Sequence, residues 1–226
     1  MKLGERAGVI TIDGPAGAGK STAARALARR LGYRLIDTGA MYRALAWSVA
    51  RAGLPVEDTE ALRRHLASVD LSLEGDRVFV DGREVSGEIR TREISDLTSR
   101  LTRLAPVRER ATPIQRALAA AGGVVLEGRD TGTVVCPDAD VKFYLDASTA
   151  ARARRRQAEL SARGVVVSLD VVHDEIVLRD RQDTTRALAP LCKAADAITV
   201  DTTDLDVEQM VETMLRMIES QCCTRS

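Results

Sequence analysis

Between the β-branched run Val9-Ile10-Thr11-Ile12 and a helical stretch from Lys20 to Leu31, the chain reads Gly14-Pro15-Ala16-Gly17-Ala18-Gly19-Lys20-Ser21. No other segment narrows the possible folds so far. The spacing fits G-x-x-x-x-G-K-[ST] without a mismatch, in the strand–loop–helix context that gives this pattern its meaning. Glycines let the backbone wrap closely enough for successive N–H groups to face phosphate oxygens. A helix that begins at the end of such a loop adds a field favourable to anions. Lys20 can then reach β- and γ-phosphates, and the Ser21 hydroxyl can ligate Mg²⁺. A strand that runs into this loop and leaves through a helix belongs to an α/β protein.

The remainder keeps the same rhythm. Apolar runs at Arg34–Asp37, Val124–Glu127, Val141–Leu145 and Ala197–Val200 alternate with helical patterns. Those helices run over about Ala40–Ala52, Thr149–Arg163, Val171–Asp183 and Leu205–Ile218, the first helix being stopped by Gly32. Short buried strands alternating with helices predict a parallel sheet covered by helices on both faces, Arg34–Asp37 being one of the buried strands. The stretch Leu54–Arg103 breaks the pattern. Leu71–Glu74 and Arg77–Val80 flank a Gly75-Asp76 turn, and Asp81-Gly82 precedes Glu84-Val85, which predicts a small antiparallel meander. The expected organisation is therefore a core of residues 1–53 and 104–226 with an inserted lobe over 54–103.

Composition excludes some partners. Lys plus Arg and Asp plus Glu balance at 33 each, so no net charge draws the chain to nucleic acid or to a membrane surface. Aromatic residues make up 3%, too few for the stacking platforms that single-stranded nucleic acid needs. Cys136 and Cys192 stand alone, and Cys222-Cys223 are too close together for a normal bridge or a metal clasp, as expected in a reducing compartment. No signal region and no membrane-length apolar window stands out, so a cytoplasmic protein is expected. With no apolar stripe left over, the expected state is a monomer.

A phosphate loop is common to many chemistries, and the acceptor side has to discriminate. Asp37-Thr38-Gly39-Ala40-Met41-Tyr42-Arg43 leaves a strand at its C-terminal end, where open α/β sheets place ligands. Glu127-Gly128-Arg129-Asp130 does the same, with Glu127 placed to act as a second-shell group for Mg²⁺. Arg152, Arg155 and Arg156 share one helix face, as a lid supplying arginines to a transferring group would require. Arg179, Asp183 and Arg186 share another.

Five blocks together resemble the bacterial cytidylate kinases, in that family's order and from about Val9 to Ile218. They are Ile12–Thr22, Asp37–Arg43, Val85-Ser86-Gly87-Glu88-Ile89-Arg90-Thr91, Glu127–Val135, and Arg179-Asp180-Arg181-Gln182-Asp183 with Arg186. The third block lies in the inserted lobe, which adenylate, guanylate and shikimate-type kinases are not expected to carry. The resemblance implies a phosphate-loop kinase fold with a nucleoside-monophosphate-binding insert and a helical lid at about 149–170. It implies transfer of the γ-phosphate of ATP to CMP or dCMP, with Mg²⁺ accompanying ATP. By similarity Gly14, Pro15, Ala16, Gly17, Ala18, Gly19, Lys20, Ser21 and Thr22 hold the ATP phosphates, with Ser21 on the metal.

Thr38, Arg108 and Asp130 are implied to read cytosine, Ser99, Arg179 and Asp183 to contact the ribose, and Arg43, Arg129 and Arg186 the acceptor phosphate. Lys20, Arg129, Arg152, Arg155 and Arg156 are implied to be catalytic. The base assignments suit cytosine, whose amino donor wants a carboxylate and whose ring acceptors want a guanidinium. Uracil inverts the polarity at the amino position and would leave buried groups unpaired. An acceptor phosphate, with a second pKa of about 6, needs no general base. His65 and His173 lie outside every block and are expected at the surface. Gln182, Thr184 and Thr185 vary within the last block, and the cysteine-containing tail has no counterpart in it.

Overall fold

The computed structural model describes residues 8–162 and 164–224. The chain divides into two compact units, residues 1–34 with 122–226, and residues 35–121. The first begins with β1 (Val9–Asp13) and α1 (Lys20–Leu31), and β2 (Arg34–Asp37) starts at the boundary. The second holds α2 (Thr38–Arg51), α3 (Glu60–Ser68), β3 (Leu71–Glu74), β4 (Arg77–Val80), β5 (Arg83–Glu84), α4 (Arg92–Leu101) and α5 (Ala105–Ala119). The chain then returns through β6 (Val124–Glu127), β7 (Val141–Asp146), α6 (Thr149–Ser161), α7 (Leu169–Thr185), β8 (Ile198–Asp201) and α8 (Val207–Thr224).

The larger sheet has the order β2-β6-β1-β7-β8, and β1 runs parallel to both of its neighbours. All four residues of β6 and all of β1 after Val9 are buried. Strands whose successive side chains are all buried must be covered on both faces, as β1 and β6 are. Around it α1 packs on β6, and α8 on α1. Because β1 is central, the chain leaves it toward β2 on one side and later adds β7 and β8 on the other. Such a switch point opens a crevice at the carboxyl ends of the strands, where the glycine-rich loop begins.

One expectation fails here. Arg34–Asp37 is not a buried strand: Arg34 is exposed and only Ile36 is buried, because β2 lies at the sheet edge. The expected fifth strand is shifted by one residue, to Ile198–Asp201. Helix α2 starts two residues early because the Asp37 carboxylate caps it, accepting from the Ala40 N–H at 2.7 Å. Ser148 and Ser168 cap α6 and α7 in the same way. Arg163, the expected end of α6, and the side chains of Cys222 and Cys223 lie outside the described residues. Ala153, Val172 and Ile176, joined by Leu160 and Val167, form a small core between α6 and α7.

In the second unit the antiparallel sheet β3-β4-β5 stands where the turn signals put it. The lobe expected over 54–103 lies inside this unit, which also takes in α2 and α5. Within it, the Trp47 indole N–H donates to Glu88 at 2.8 Å and so ties α2 to the segment after the meander. No helix among the described residues is long and apolar enough to cross a membrane.

Candidate functional site

The loop after β1 is held by its carbonyls. Lys20 Nζ donates to the Pro15 carbonyl at 2.7 Å, Arg152 Nη1 to that of Ala16 at 3.2 Å, and Thr202 Oγ1 to that of Ala18 at 2.9 Å. The Gly19 carbonyl accepts from Ala23 N–H at 2.9 Å, opening α1. In a trans peptide the following N–H points the opposite way. The amides of Ala16, Gly17, Gly19 and Lys20 therefore turn away from those partners. Gly14 sits at φ +146°, and a Cβ there would lie 2.0 Å from the Leu145 carbonyl oxygen, so this position admits only glycine.

Lys20 is 4% exposed. Burial, together with the nearby Arg129 charge, lowers its pKa to about 7 against the pull of Glu127, Asp13 and Asp183. Asp13 anchors the floor: its carboxylate accepts from Thr131 N–H at 2.9 Å, Thr131 Oγ1 at 2.8 Å and Gly132 N–H at 2.7 Å. Burial holds its pKa above the ordinary carboxylate value even so. These bonds fix the π-helical turn Thr131–Val135 beneath the loop. Glu127 is buried at the end of β6, in register with Ile12.

Beside the loop the first unit gathers Arg129, Asp130, Arg179, Asp183 and Arg186. Asp183 is the hub, with Arg129 Nε at 3.0 Å, Arg186 Nη1 at 3.9 Å and Arg179 Nε at 4.0 Å. Arg186 Nη2 also lies 3.7 Å from Asp130 Oδ1. Burial opposes the Asp183 charge, yet the three arginines outweigh it and hold its pKa below the usual range. Burial likewise works against the Arg129 cation, and Asp183 more than compensates. Three guanidiniums around the two carboxylates Asp183 and Asp130 leave one positive charge over within the cluster, which a phosphate-bearing ligand would neutralise.

The three arginines of α6 differ in their engagements. Arg152 is buried, its Nε on the Ala147 carbonyl at 2.9 Å and its Nη1 shared between Ala16 and Asp180. Arg155 donates to the Thr202 carbonyl and, at 3.2 Å, to the Thr202 hydroxyl. Arg156 pairs with Glu159 at 3.1 Å on the surface. Ser21 and Thr22 are exposed at the start of α1. No group of three or more His, Cys, Asp or Glu side chains forms a cation cage among the described residues. A Mg²⁺ held chiefly by nucleotide phosphates and water fits that arrangement, since it asks little more of the protein than a hydroxyl and a nearby carboxylate.

In the second unit Thr38 and Arg108 are buried, Ser99 is half-buried on α4, and Arg43 reaches Asp37 at 3.3 Å. The Arg108 guanidinium stands over the Tyr42 ring, 5.6 Å from its centroid. Tyr42 lies one helical turn beyond Thr38, a spacing that puts the two on one face of α2. Asp13, bonded to Thr131 and Gly132, Asp180, bonded to Arg152, and Thr202, bonded to the Ala18 carbonyl, carry no such signal: their partners are remote in sequence. Of the two histidines, His173 lies at the surface, its side chain 45% exposed and its Nδ1 3.5 Å from Asp174, whereas His65 is half-buried with Nε2 3.2 Å from Ser48 Oγ.

The family model for cytidylate kinase matches residues 10–220. The chain belongs to the cytidylate kinase family. It is 49% identical to the cytidylate kinase of Pelotomaculum thermopropionicum, over 93% of this chain and 96% of that one. With the cytidylate kinase of a Geobacter species it shares 48% identity over 94% and 93% of the two chains. Among solved structures, a gluconokinase from Sinorhizobium meliloti aligns with a TM-score of 0.50 at 16% identity, covering 97% of each chain. An uncharacterized protein from Eubacterium ventriosum aligns with a TM-score of 0.53 at 13% identity, over 94% of this chain and 98% of that one. At such low identity these two likenesses speak for the fold alone.

Proposed function

We propose that this cytidylate kinase family member transfers the γ-phosphate of ATP to CMP or dCMP, giving ADP and CDP or dCDP. The observation that carries the reading is the family match over residues 10–220, which spans the phosphate loop and every acceptor-side block. The donor phosphates lie on Gly14–Thr22, with Lys20 on the β/γ oxygens. Mg²⁺, bound with ATP through the Ser21 hydroxyl and with Glu127 nearby, supplies further neutralisation of phosphate charge when present. The acceptor roles fall on residues of both units. Thr38, Arg108 and Asp130 read the base, Ser99, Arg179 and Asp183 hold the sugar, and Arg43, Arg129 and Arg186 take the phosphate.

The acceptor oxygen is already ionised at neutral pH, its second pKa being about 6, so the residues align and neutralise and none need remove a proton. Lys20, which is buried, and Arg129, which is half-buried beside it, are the cations suited to the transferring group. Of the α6 arginines, Arg156 is the least costly to redirect, because an exposed pair such as Arg156–Glu159 is worth about 0–1 kcal/mol. Arg155 would exchange Thr202 for phosphate, and Arg152, itself buried, would have to leave the half-buried Asp180 carboxylate. An ADP-release assay with Mg²⁺-ATP and CMP, dCMP, UMP, AMP, GMP, shikimate or no acceptor tests the reading. Turnover with CMP and dCMP alone is expected; acceptor-independent hydrolysis would defeat it.

A further inference from the structure

Asp180 on α7 has no assigned role, yet it stands one side chain away from the phosphate loop. Its Oδ2 accepts from Arg152 Nη1 at 2.6 Å, and the same Nη1 donates to the Ala16 carbonyl at 3.2 Å. The other ends of the guanidinium are fixed on α6 and the turn before it, Nε on the Ala147 carbonyl at 2.9 Å and Nη2 on Thr149 Oγ1 at 3.2 Å. Arg152 is 5% exposed, so this is a buried cation whose counter-charge is Asp180. The loop meets it closely: a Cβ on Gly17 would lie 3.0 Å from Arg152 Cβ and 3.2 Å from its carbonyl oxygen.

One nitrogen thus serves both the carboxylate and the loop. Where Asp180 holds Nη1 decides where the Ala16 carbonyl points, and peptide planarity then decides where the Gly17 N–H points. We propose that Asp180 is a positioning residue for the donor loop, acting through Arg152 to aim the Ala16–Gly17 peptide at the ATP phosphates. This inference rests on the reading of Gly14–Thr22 as the donor site. It also explains why Arg152 is buried against the loop while Arg156, on the same helix, is paired at the surface. An ordinary staple between α6 and α7 would need no bond to the loop.

The test is calorimetric binding of a non-hydrolysable ATP analogue with Mg²⁺, and separately of CMP, to the full chain. Asp180→Asn keeps the shape and removes the charge. A charge-assisted hydrogen bond is worth enough that analogue affinity is expected to fall about tenfold, with CMP affinity within about twofold of wild type. In an Arg152→Lys background, Asp180→Asn should add less than about twofold, since the route through the guanidinium is already cut. Equal losses for both nucleotides, an analogue affinity that does not change, or additive effects of the two substitutions would each overturn the proposal. Wild-type protein that fails to bind the analogue would refute the donor-site reading itself, and this inference with it. Should Asp180→Asn not fold, Asp180→Glu, which displaces the charge by one methylene, carries the same comparison under the same criteria.

Discussion

Burying the Lys20 amine lowers its pKa from 10.5 to about 7, which sets function against stability at one residue. An unfolded chain holds that proton up to about 10.5, so between pH 7 and 10.5 the unfolded state binds more protons and this group lets stability rise with pH. Below pH 7 its full cost is present, on the order of a few kcal/mol. Lys20→Met should therefore show no ADP release yet melt at or above the wild-type temperature at pH 7, an advantage that shrinks toward pH 10. A melting temperature well below wild type at pH 7 would mean that Lys20 stabilises the apo protein. Donor phosphates reverse the desolvation argument by giving the ammonium a counter-charge. At pH 8, where the γ-phosphate is already ionised, ATP binding should take up a proton. Calorimetry in two buffers of different ionisation enthalpy reads that uptake, and Lys20→Met should abolish it. The loop itself was legible because it is one continuous stretch. Asp13, Asp180 and Thr202 were not, since each acts on a partner brought near only by folding.

At the scale of elements, legibility follows the number of independent local signals. Helix α1 ends where Gly32 said it would, with a left-handed glycine capping it. The meander followed from two glycine turns. Helix α5 escaped notice because Pro113 interrupts it, although Val107, Ala111, Gln115 and Ala119 recur four apart and are all buried. β2 misled for another reason: an apolar run reads alike at the edge and the centre of a sheet, and only pairing order tells them apart. The α6–α7 pair carries its own small core of Ala153, Val172 and Ile176. Val172 is 0% exposed, so Val172→Ala should cost about 1–3 kcal/mol. Because that cluster is separate from the sheet core, hydrogen exchange should quicken over α6 and α7 and stay unchanged in β1, β6 and β7. Uniform loss of protection would show that the two helices unfold only with the sheet.

Taken as a whole, the molecule distributes its two substrates unequally. Every residue assigned to the ATP phosphates belongs to the first unit, whereas the acceptor assignments draw on both. A substitution confined to the second unit should therefore separate the nucleotides cleanly. Arg108 is the position to choose: it is 8% exposed, its guanidinium stands over the Tyr42 ring, and it belongs to α5. Arg108→Met keeps the apolar stem that packs in the unit and removes the fork that would meet the ring acceptors of cytosine. Losing a charged hydrogen bond to the base should raise the KM for CMP about ten- to a hundredfold. Binding of the ATP analogue should stay within about twofold of wild type, because the residues assigned to the ATP phosphates all belong to the first unit and Arg108 to the second. If analogue affinity falls in step with CMP, Arg108 supports the fold of its unit and does not read the base. If neither changes, cytosine is read elsewhere, and Thr38 and Asp130 must carry the discrimination against uracil between them.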